Sequence, residues 1–494
     1  MDLDHDACYR AIELRDVRFD GRFFTAVKTT GTYCRPICPA RTPRSENVTF
    51  YPTAAAAQEA GFRPCLRCRP ETAPDKGAWR GTSNTVSRAL ALIELGALDE
   101  GSVDALAGRL GLGERQLRRL CRQHLGASPI AVAQTRRVLL AKQLIHETSL
   151  PMAEIAFAAG FGSIRRFNEM FLALYGRAPC ALRRGSRPEI PAGPSGEISL
   201  RLRYQPPYDW PGMLEFLRLR AIPGIERVGE SCYSRTIRLD GQQGIVSVRP
   251  DEENSLRARI RFPRLSALPG IIARLRRVFD LAADPLLISA YLARDPALAP
   301  LVGARPGLRV PGAWDGFELA IRAVLGQQIS VTAAVRLAGR LVATHGEPLA
   351  EPDRELTHVF PRPEVLARAD LTTLGMPRSR AATLSAVAAA VVSDPDVLRA
   401  SRGLDEAIQR LRSIPGVGEQ MAHYIALRQL REPDAFPAAD VGLGRALAHL
   451  EGRRRSSREL VARADRWRPW RAYAAQHLWA SLRAATAHPL RRVE

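Results

Sequence analysis

The sequence predicts a multidomain α+β protein. It would comprise a small zinc-binding α/β domain, an all-α double helix-turn-helix domain, and an α+β C-terminal half with a small antiparallel sheet and a helix-hairpin-helix domain. Three observations predict this. Two cysteine clips, Cys34-x3-Cys38 and Cys65-x2-Cys68, stand near the start. A glycine-turn motif occurs at 106–113 and again at 155–162. After residue 197, apolar residues alternate and then give way to helical runs. The 494 residues suffice for about three domains.

The clips come first. Each supplies two thiolates to one edge of a tetrahedron, which is zinc spacing. Spacing alone fits a purely structural knuckle as well as a reactive site. The surrounding chain is basic, with Arg35, Arg41, Arg44, Arg63, Arg67 and Arg69. Ala7–Asp16 reads as a helix, Phe19–Lys28 as a turn and strand, and Ala54–Ala60 as a helix. Glu71–Thr82, with Pro74, Gly77 and Gly81, reads as a linker.

The segments TTGTYCRPICPAR and GFRPCLRC resemble the N-terminal zinc domain of the Ada proteins, which respond to DNA methylation damage. The resemblance places this domain at 1–76. It implies one zinc on Cys34, Cys38, Cys65 and Cys68, and it makes Cys34 the nucleophile that takes a methyl group from a methylated DNA phosphate. A zinc-bound thiol is already deprotonated and attacks carbon at neutral pH. Arg35 and Arg67 are expected on the DNA-facing rim.

The formal net charge is +21, mostly from arginine. That favours a polyanionic partner, nucleic acid before membrane. No stretch has the roughly 18 uninterrupted apolar residues of a spanning helix. MDLDHDACYR lacks a signal-peptide pattern. Cys8, Cys121, Cys180 and Cys232 are scattered, which suits a reducing cytoplasm. A cytoplasmic, nucleoid-associated location is expected.

Both glycine-turn copies run into a helix and end in Gly-x-x-Pro, Gly126 to Pro129 and Gly176 to Pro179. This is helix-turn-helix grammar. Leu117, Leu120 and Cys121 would face inward in the first copy, with Gln116, Arg118, Arg119 and Arg122 outward. In the second, Phe167, Met170, Phe171 and Leu174 would face inward, with Arg165, Arg166 and Asn168 outward. The pair, 84–184, resembles the AraC-type DNA-binding domain, two such units joined by a long helix at about Ile130–Glu147. The resemblance implies DNA contacts by Arg118, Arg119, Arg122, Arg165 and Arg166. Two reading helices on one spacer need no dimer, so a monomer is expected. RNA polymerase is the expected partner at a promoter.

Gly185–Gly196 is the next linker. Ile198–Tyr204, Tyr233–Leu239, Ile245–Val248 and Leu256–Phe262 read as strands, and helices are expected from about Pro269 onward. The run Leu411–Gly418 contains Pro415-Gly416-Val417-Gly418, a helix-hairpin-helix pattern. Gly416 and Gly418 would let backbone N–H groups approach a DNA phosphate. Alone the motif is weak, because many turns share it. Asp440 and the aromatics Trp467, Trp470, Tyr473 and Trp479 follow it.

From Ile198 on, the chain resembles the 3-methyladenine DNA glycosylase II (AlkA) family. The motifs are YQPPYDW, RPGLRVPGAWDGFE, RAVLGQQISV, the hairpin, AFPAAD and RWRPWRAYAAQHLW. The resemblance implies a sheet domain at 197–305 and a hairpin glycosylase domain at 306–494. It places the catalytic aspartate on Asp440, stacking aromatics on Tyr424 and Trp479, and the wedge into duplex DNA on Gln328. A pocket tryptophan common in the family is here Gln420. Lyase relatives use a lysine just after the hairpin, so Gln420 implies a monofunctional enzyme. The hairpin carbonyls are a candidate monovalent-cation site. The expected partner is duplex DNA, damaged or promoter. A regulator with a catalytically weak glycosylase half is the competing reading.

Overall fold

The computed structural model describes residues 4–74, 84–99, 101–183, 197–252, 254–399 and 403–487. The expected linker at 185–196 lies outside them, as does most of the one at 71–82. The chain divides into two compact units. The first comprises 1–205, 239–273 and 281–283, and the second 206–238, 274–280 and 284–494.

The first unit begins with helix His5–Glu13, capped by Asp4. A four-stranded sheet follows, in the order Val48–Tyr51, Phe24–Val27, Thr32–Cys34 and Arg63–Pro64. The first three strands are antiparallel and the last is parallel. The turn and strand expected over Phe19–Lys28 both form, the turn at 20–22 and the strand at Phe24–Val27. Asp16 caps a 3-10 turn at Val17–Phe19, so extension begins only at Phe24. Phe24, Ala26, Tyr33 and Ala57 form the small core beneath the clips.

Glu71 was expected in a linker, yet it is buried within a 3-10 turn, Pro70–Thr72. Lys142 explains this. It lies on the joining helix Pro129–Glu147, fully enclosed, with Nζ 2.7 Å from Glu71 Oε2 and 2.9 Å from the Cys65 carbonyl. Arg69 adds a contact to Glu71 at 3.2 Å and to Glu147 at 3.6 Å. The zinc-clip domain is therefore docked on the joining helix. Thr53 Oγ1 also donates to the Leu125 carbonyl, and the Ser128 N–H donates to Glu59.

The two helix-turn-helix units are Val103–Arg109 with Glu114–Leu125, and Met152–Ala158 with Ile164–Tyr175. Ser102, Ser128 and Ser163 cap their helices by accepting backbone N–H groups. Leu117 and Cys121 are buried as expected, and Leu120 is half-buried. In the second unit Phe167 and Phe171 are buried, but Met170 and Leu174 are only half-buried. Tyr175 is the third anchor instead, since 167, 171 and 175 lie four apart on one face. Asp99 ties the pair together. It accepts from Arg136 at 2.5 Å and Arg137 at 2.8 Å, and a Cβ on Gly160 would sit 2.7 Å from it. Gly160 has φ +87°, so glycine is needed there for both reasons.

The strands Glu197–Arg203, Ser255–Arg261 and Gln242–Asp251 run antiparallel in that spatial order. Strand Glu197–Arg203 is fastened to the joining helix, because Gln143 Nε2 donates to the Arg201 carbonyl and the Arg201 N–H donates to Glu147.

In the second unit, Glu226–Val228 pairs with Tyr233–Leu239, and helices dominate the rest. One expectation fails there. A two-stranded hairpin, Glu347–Asp353 with Leu356–Val359, interrupts the helical run. Pro348 and Pro352 cannot continue a helix, and Arg354 turns the chain at φ +54°.

Removing Lys142 leaves Glu71 buried without its cation. Lys142→Met should destabilise the first unit by about 3–5 kcal/mol. Adding Glu71→Gln should recover part of that loss, and denaturant unfolding of the three variants measures it. Equal stabilities would show that the pair holds nothing.

Candidate functional site

The first unit gathers its four cysteines as the spacing predicts. One sulfur from each of Cys34, Cys38, Cys65 and Cys68 lies within 4.8 Å of the others. A tetrahedron with Zn–S bonds of about 2.3 Å needs sulfurs roughly 3.8 Å apart, so the set fits zinc. The backbone N–H of Arg35 donates to Cys68 Sγ at 3.3 Å, and that of Arg67 to Cys65 Sγ at 3.4 Å. Such bonds stabilise thiolate charge. The crowding splits the thiols. Hydrogen bonding with Cys38 pushes Cys34 up, and hydrogen bonding with Cys34 brings Cys38 down to about 7. Bonding with Cys34 also lowers Cys65 and raises Cys68. Four sulfurs sharing protons in this way form a set that a divalent cation would satisfy. Cys34 and Cys68 are buried, while Cys38 and Cys65 are half-buried.

Arg35 is not on the rim. It is buried, with its guanidinium on Asp20, the Cys68 carbonyl and Thr72 Oγ1. It braces the clips from within. Arg67 and Arg41 are exposed beside the clips.

On the recognition helices Arg119, Arg122, Arg165 and Arg166 are exposed. Arg118 is half-buried and pairs with Glu114 at 2.5 Å, Arg122 lies 3.7 Å from Glu59, and Arg165 pairs with Glu169 at 2.7 Å. These pairs must open or be shared if the arginines reach phosphate.

The second unit holds a cavity of about 700 Å³ lined by Phe216, Gln328, Gly418, Gln420, Tyr424 and Asp440, among others. Asp440 caps helix Val441–Glu451. Its Oδ1 accepts from the Leu443 N–H and from Trp479 Nε1, each at 2.9 Å. Both bonds use one oxygen, Oδ1. Trp479 therefore contacts Asp440 directly. Its indole is turned to the aspartate and meets the Tyr424 ring edge-on, 6.4 Å between centroids. Phe216 lines the cavity together with Tyr424, with no motif of its own to announce it beyond its distance from YQPPYDW.

Guanidiniums back the aromatics. Arg220 lies 4.1 Å from the Phe216 ring, and Arg428 lies 4.7 Å from it and 5.3 Å from Trp479. Arg428 is fixed by the Pro311 carbonyl and Gln476 Oε1. Burial brings Arg428 down to about 10, still cationic at neutral pH. Burial would raise the Tyr424 phenol, but Arg428 and Arg220 pull it below its usual value. Deeper, Glu318 accepts from Arg235 and Arg322 at 2.6 Å each, and Tyr233 donates to Glu226 at 2.6 Å.

At the mouth, Gln328 is exposed with φ +57°, a left-handed conformation that costs a glutamine energy and is held by the turn after Gly326. Gln420 is exposed on the first turn after the hairpin. Gly416 has φ +83°, and a Cβ there would meet Thr383 at 2.1 Å. Gly418 starts helix Glu419–Ile425 and faces open space, as a phosphate contact requires. The sequence holds one further signal that bears on this site: no lysine occurs after Lys142.

Family models match four successive segments. They are the metal binding domain of Ada over 7–71, a helix-turn-helix domain over 106–185, the AlkA N-terminal domain over 199–315, and the HhH-GPD superfamily base excision DNA repair protein over 321–472. A probable bifunctional transcriptional activator/DNA repair enzyme AlkA of Mycobacterium tuberculosis is 44% identical, covering 98% of this chain and 97% of that one. The DNA-3-methyladenine glycosylase 2 of Escherichia coli is 34% identical over 56% of this chain and 95% of its own. The structure of a 3-methyladenine DNA-glycosylase from Archaeoglobus fulgidus matches 57% of this chain and 98% of its own, with TM-score 0.53 and 23% identity, which shows a shared fold.

One zinc per chain is expected, and Cys65→Ala should lose it and unfold the clip domain, which is too small to fold on its own core. Metal analysis of purified wild type and variant checks this. Equal zinc in both would refute the ligand set.

Proposed function

This chain belongs to the family of bifunctional transcriptional activators and DNA repair enzymes, and we propose that Asp440 carries its hydrolytic chemistry and Cys34 its methyl transfer. The chain pairs an Ada methylphosphotriester sensor with an AlkA-type 3-methyladenine glycosylase. Four modules divide the work: 1–76, 84–184, 197–305 and 306–494.

The observation that carries the glycosylase assignment is the carboxylate at the cavity, bound through Oδ1 only. A base extruded from duplex DNA enters beside Tyr424 and Phe216. Ring-nitrogen methylation makes that base cationic and a good leaving group. The C1′–N bond breaks, and the electron pair leaves with the base. Asp440 Oδ2 stabilises the sugar cation, and a water then adds at C1′, its proton passing to Asp440 Oδ2. Gln328 fills the vacated stack, and the N–H groups at Gly416 and Gly418 hold the phosphate. Gln420 is amide, not amine, and the absence of lysine beyond residue 142 supports hydrolysis without a Schiff base. The competing reading, a regulator with a catalytically weak half, is disfavoured by the retained and oriented Asp440. The hairpin carbonyls remain a candidate seat for a monovalent cation.

In the first unit bound zinc keeps its thiolates deprotonated at neutral pH. The Cys34 sulfur forms a bond to the methyl carbon, the C–O bond breaks, and its electron pair leaves on the phosphate oxygen. The cluster then carries about one negative charge fewer, so repulsion of phosphate falls and DNA binding tightens. RNA polymerase is the proposed partner of the DNA-bound form, which we take to be a monomer in the cytoplasm.

Asp440→Asn should abolish most release of methylated bases while leaving duplex affinity near wild type. Trp479→Phe keeps the ring and loses the N–H. It should lower kcat by about 10- to 100-fold, with KM little changed and by one factor for every lesion. Single-turnover release assays measure both, and wild-type rates in Asp440→Asn would end the assignment.

After reaction with methylphosphotriester DNA, peptide mapping should find the methyl group on Cys34, and affinity for one undamaged duplex should rise severalfold at low salt. Methyl on Cys38, or unchanged affinity, would overturn this part.

A further inference from the structure

One strongly charged surface lies outside every site described above. The three sheet strands of the first unit, Glu197–Arg203, Ser255–Arg261 and Gln242–Asp251, have one apolar face, with Leu200, Leu202, Val246, Val248, Leu256 and Ile260 all buried. Its other face carries six arginines: Arg201, Arg203, Arg249, Arg257, Arg259 and Arg261. Strand register makes this an array. Arg201 stands opposite Arg257, and Arg257 opposite Arg249, so three guanidinium-bearing residues cross the sheet in one row. Ser199 and Ser247 flank Arg259 in the next row.

Like charges directly opposite on a sheet are destabilising. Asp251 offsets part of the cost, at 3.0 Å from Arg201 and 2.8 Å from Arg257, and Glu197 lies 3.8 Å from Arg259. Six guanidiniums thus share this face with Asp251 and Glu197. Arg249 and Arg259 are exposed, and the other four are half-buried. Residues two apart on a strand repeat every 6.6–6.8 Å or so, which makes the Arg257–Arg259–Arg261 row a rigid cationic comb.

We propose that this sheet face is a further DNA contact, reading no sequence and holding the phosphate backbone of a duplex. The occupant is DNA because the face is rigidly joined to DNA-reading elements. Arg201 is bonded through its backbone to Gln143 and Glu147 of the joining helix, the same helix that spaces the two recognition helices. Arginine suits the role, since its fork binds phosphate and its charge does not titrate. The contact goes beyond the helix-turn-helix pair and the hairpin.

The test uses the full chain and an undamaged 40-base-pair duplex across a salt series. The variant Arg249→Gln/Arg259→Gln/Arg261→Gln should flatten the plot of log affinity against log salt by roughly 0.9 for each phosphate that is no longer neutralised, up to about 2.7. Affinity at low salt should fall tenfold or more. The matching triple lysine variant should keep the slope. Zinc content and thermal unfolding of each variant establish that the fold is intact. An unchanged slope in a folded glutamine variant would overturn the proposal, as would loss of binding confined to single-stranded RNA or to phosphatidylserine vesicles.

Discussion

A guanidinium stays protonated at neutral pH even when buried, so each one that folding buries must be given acceptors. That constraint shapes both units. Arg35 is met by Asp20, a carbonyl and a threonine, and the clips are built around it. Arg235 and Arg322 are met by Glu318 and Glu226. Arg277 is met by the Ala313 and Trp314 carbonyls, and burial still brings it down to about 9. Arginines not placed in this way stand outward, where a polyanion can meet them. Core and DNA-facing surface are therefore two outcomes of one rule.

The cavity in the second unit follows from the same rule. Arg428 sits behind Trp479 and Phe216 because Pro311 and Gln476 supply its acceptors. That placement fixes the indole, and the indole fixes one oxygen of Asp440. The aspartate is thus oriented through a ring and a cation instead of a second carboxylate. Such support tolerates no freedom in the helix that carries Trp479. Gln476 and His477 on that helix are buried, and burial lowers His477 to about 4, keeping it neutral beside the Leu301 carbonyl.

Much of this was legible in the residues. Cysteine spacing carries its geometry locally, because each clip is closed by a few bonds. The helical repeat is likewise local, so Phe167 and Phe171 were readable from period alone. Glu71 was not readable. Its partner Lys142 lies seventy-one positions on, and a short acidic stretch with proline and glycine looks like a linker until that partner is placed. Arg35 failed for the same reason, since a basic residue beside a clip carries no mark of Asp20. The strand pair after His345 was hidden by a helical run that two prolines end. Trp479 is legible as an aromatic, but the direction of its N–H is a property of the packed helix.

The scarcity of lysine has a chemical consequence. Only Lys28, Lys76 and Lys142 occur, and Lys142 is sealed against Glu71. Acylation, the common means by which cells erase positive charge on DNA-binding surfaces, has almost no amine to act on here. The cationic surface of this protein is in that sense permanent. Its grip on DNA can be changed by adding negative charge, by salt, or at the cysteine cluster, but not by neutralising its own side chains.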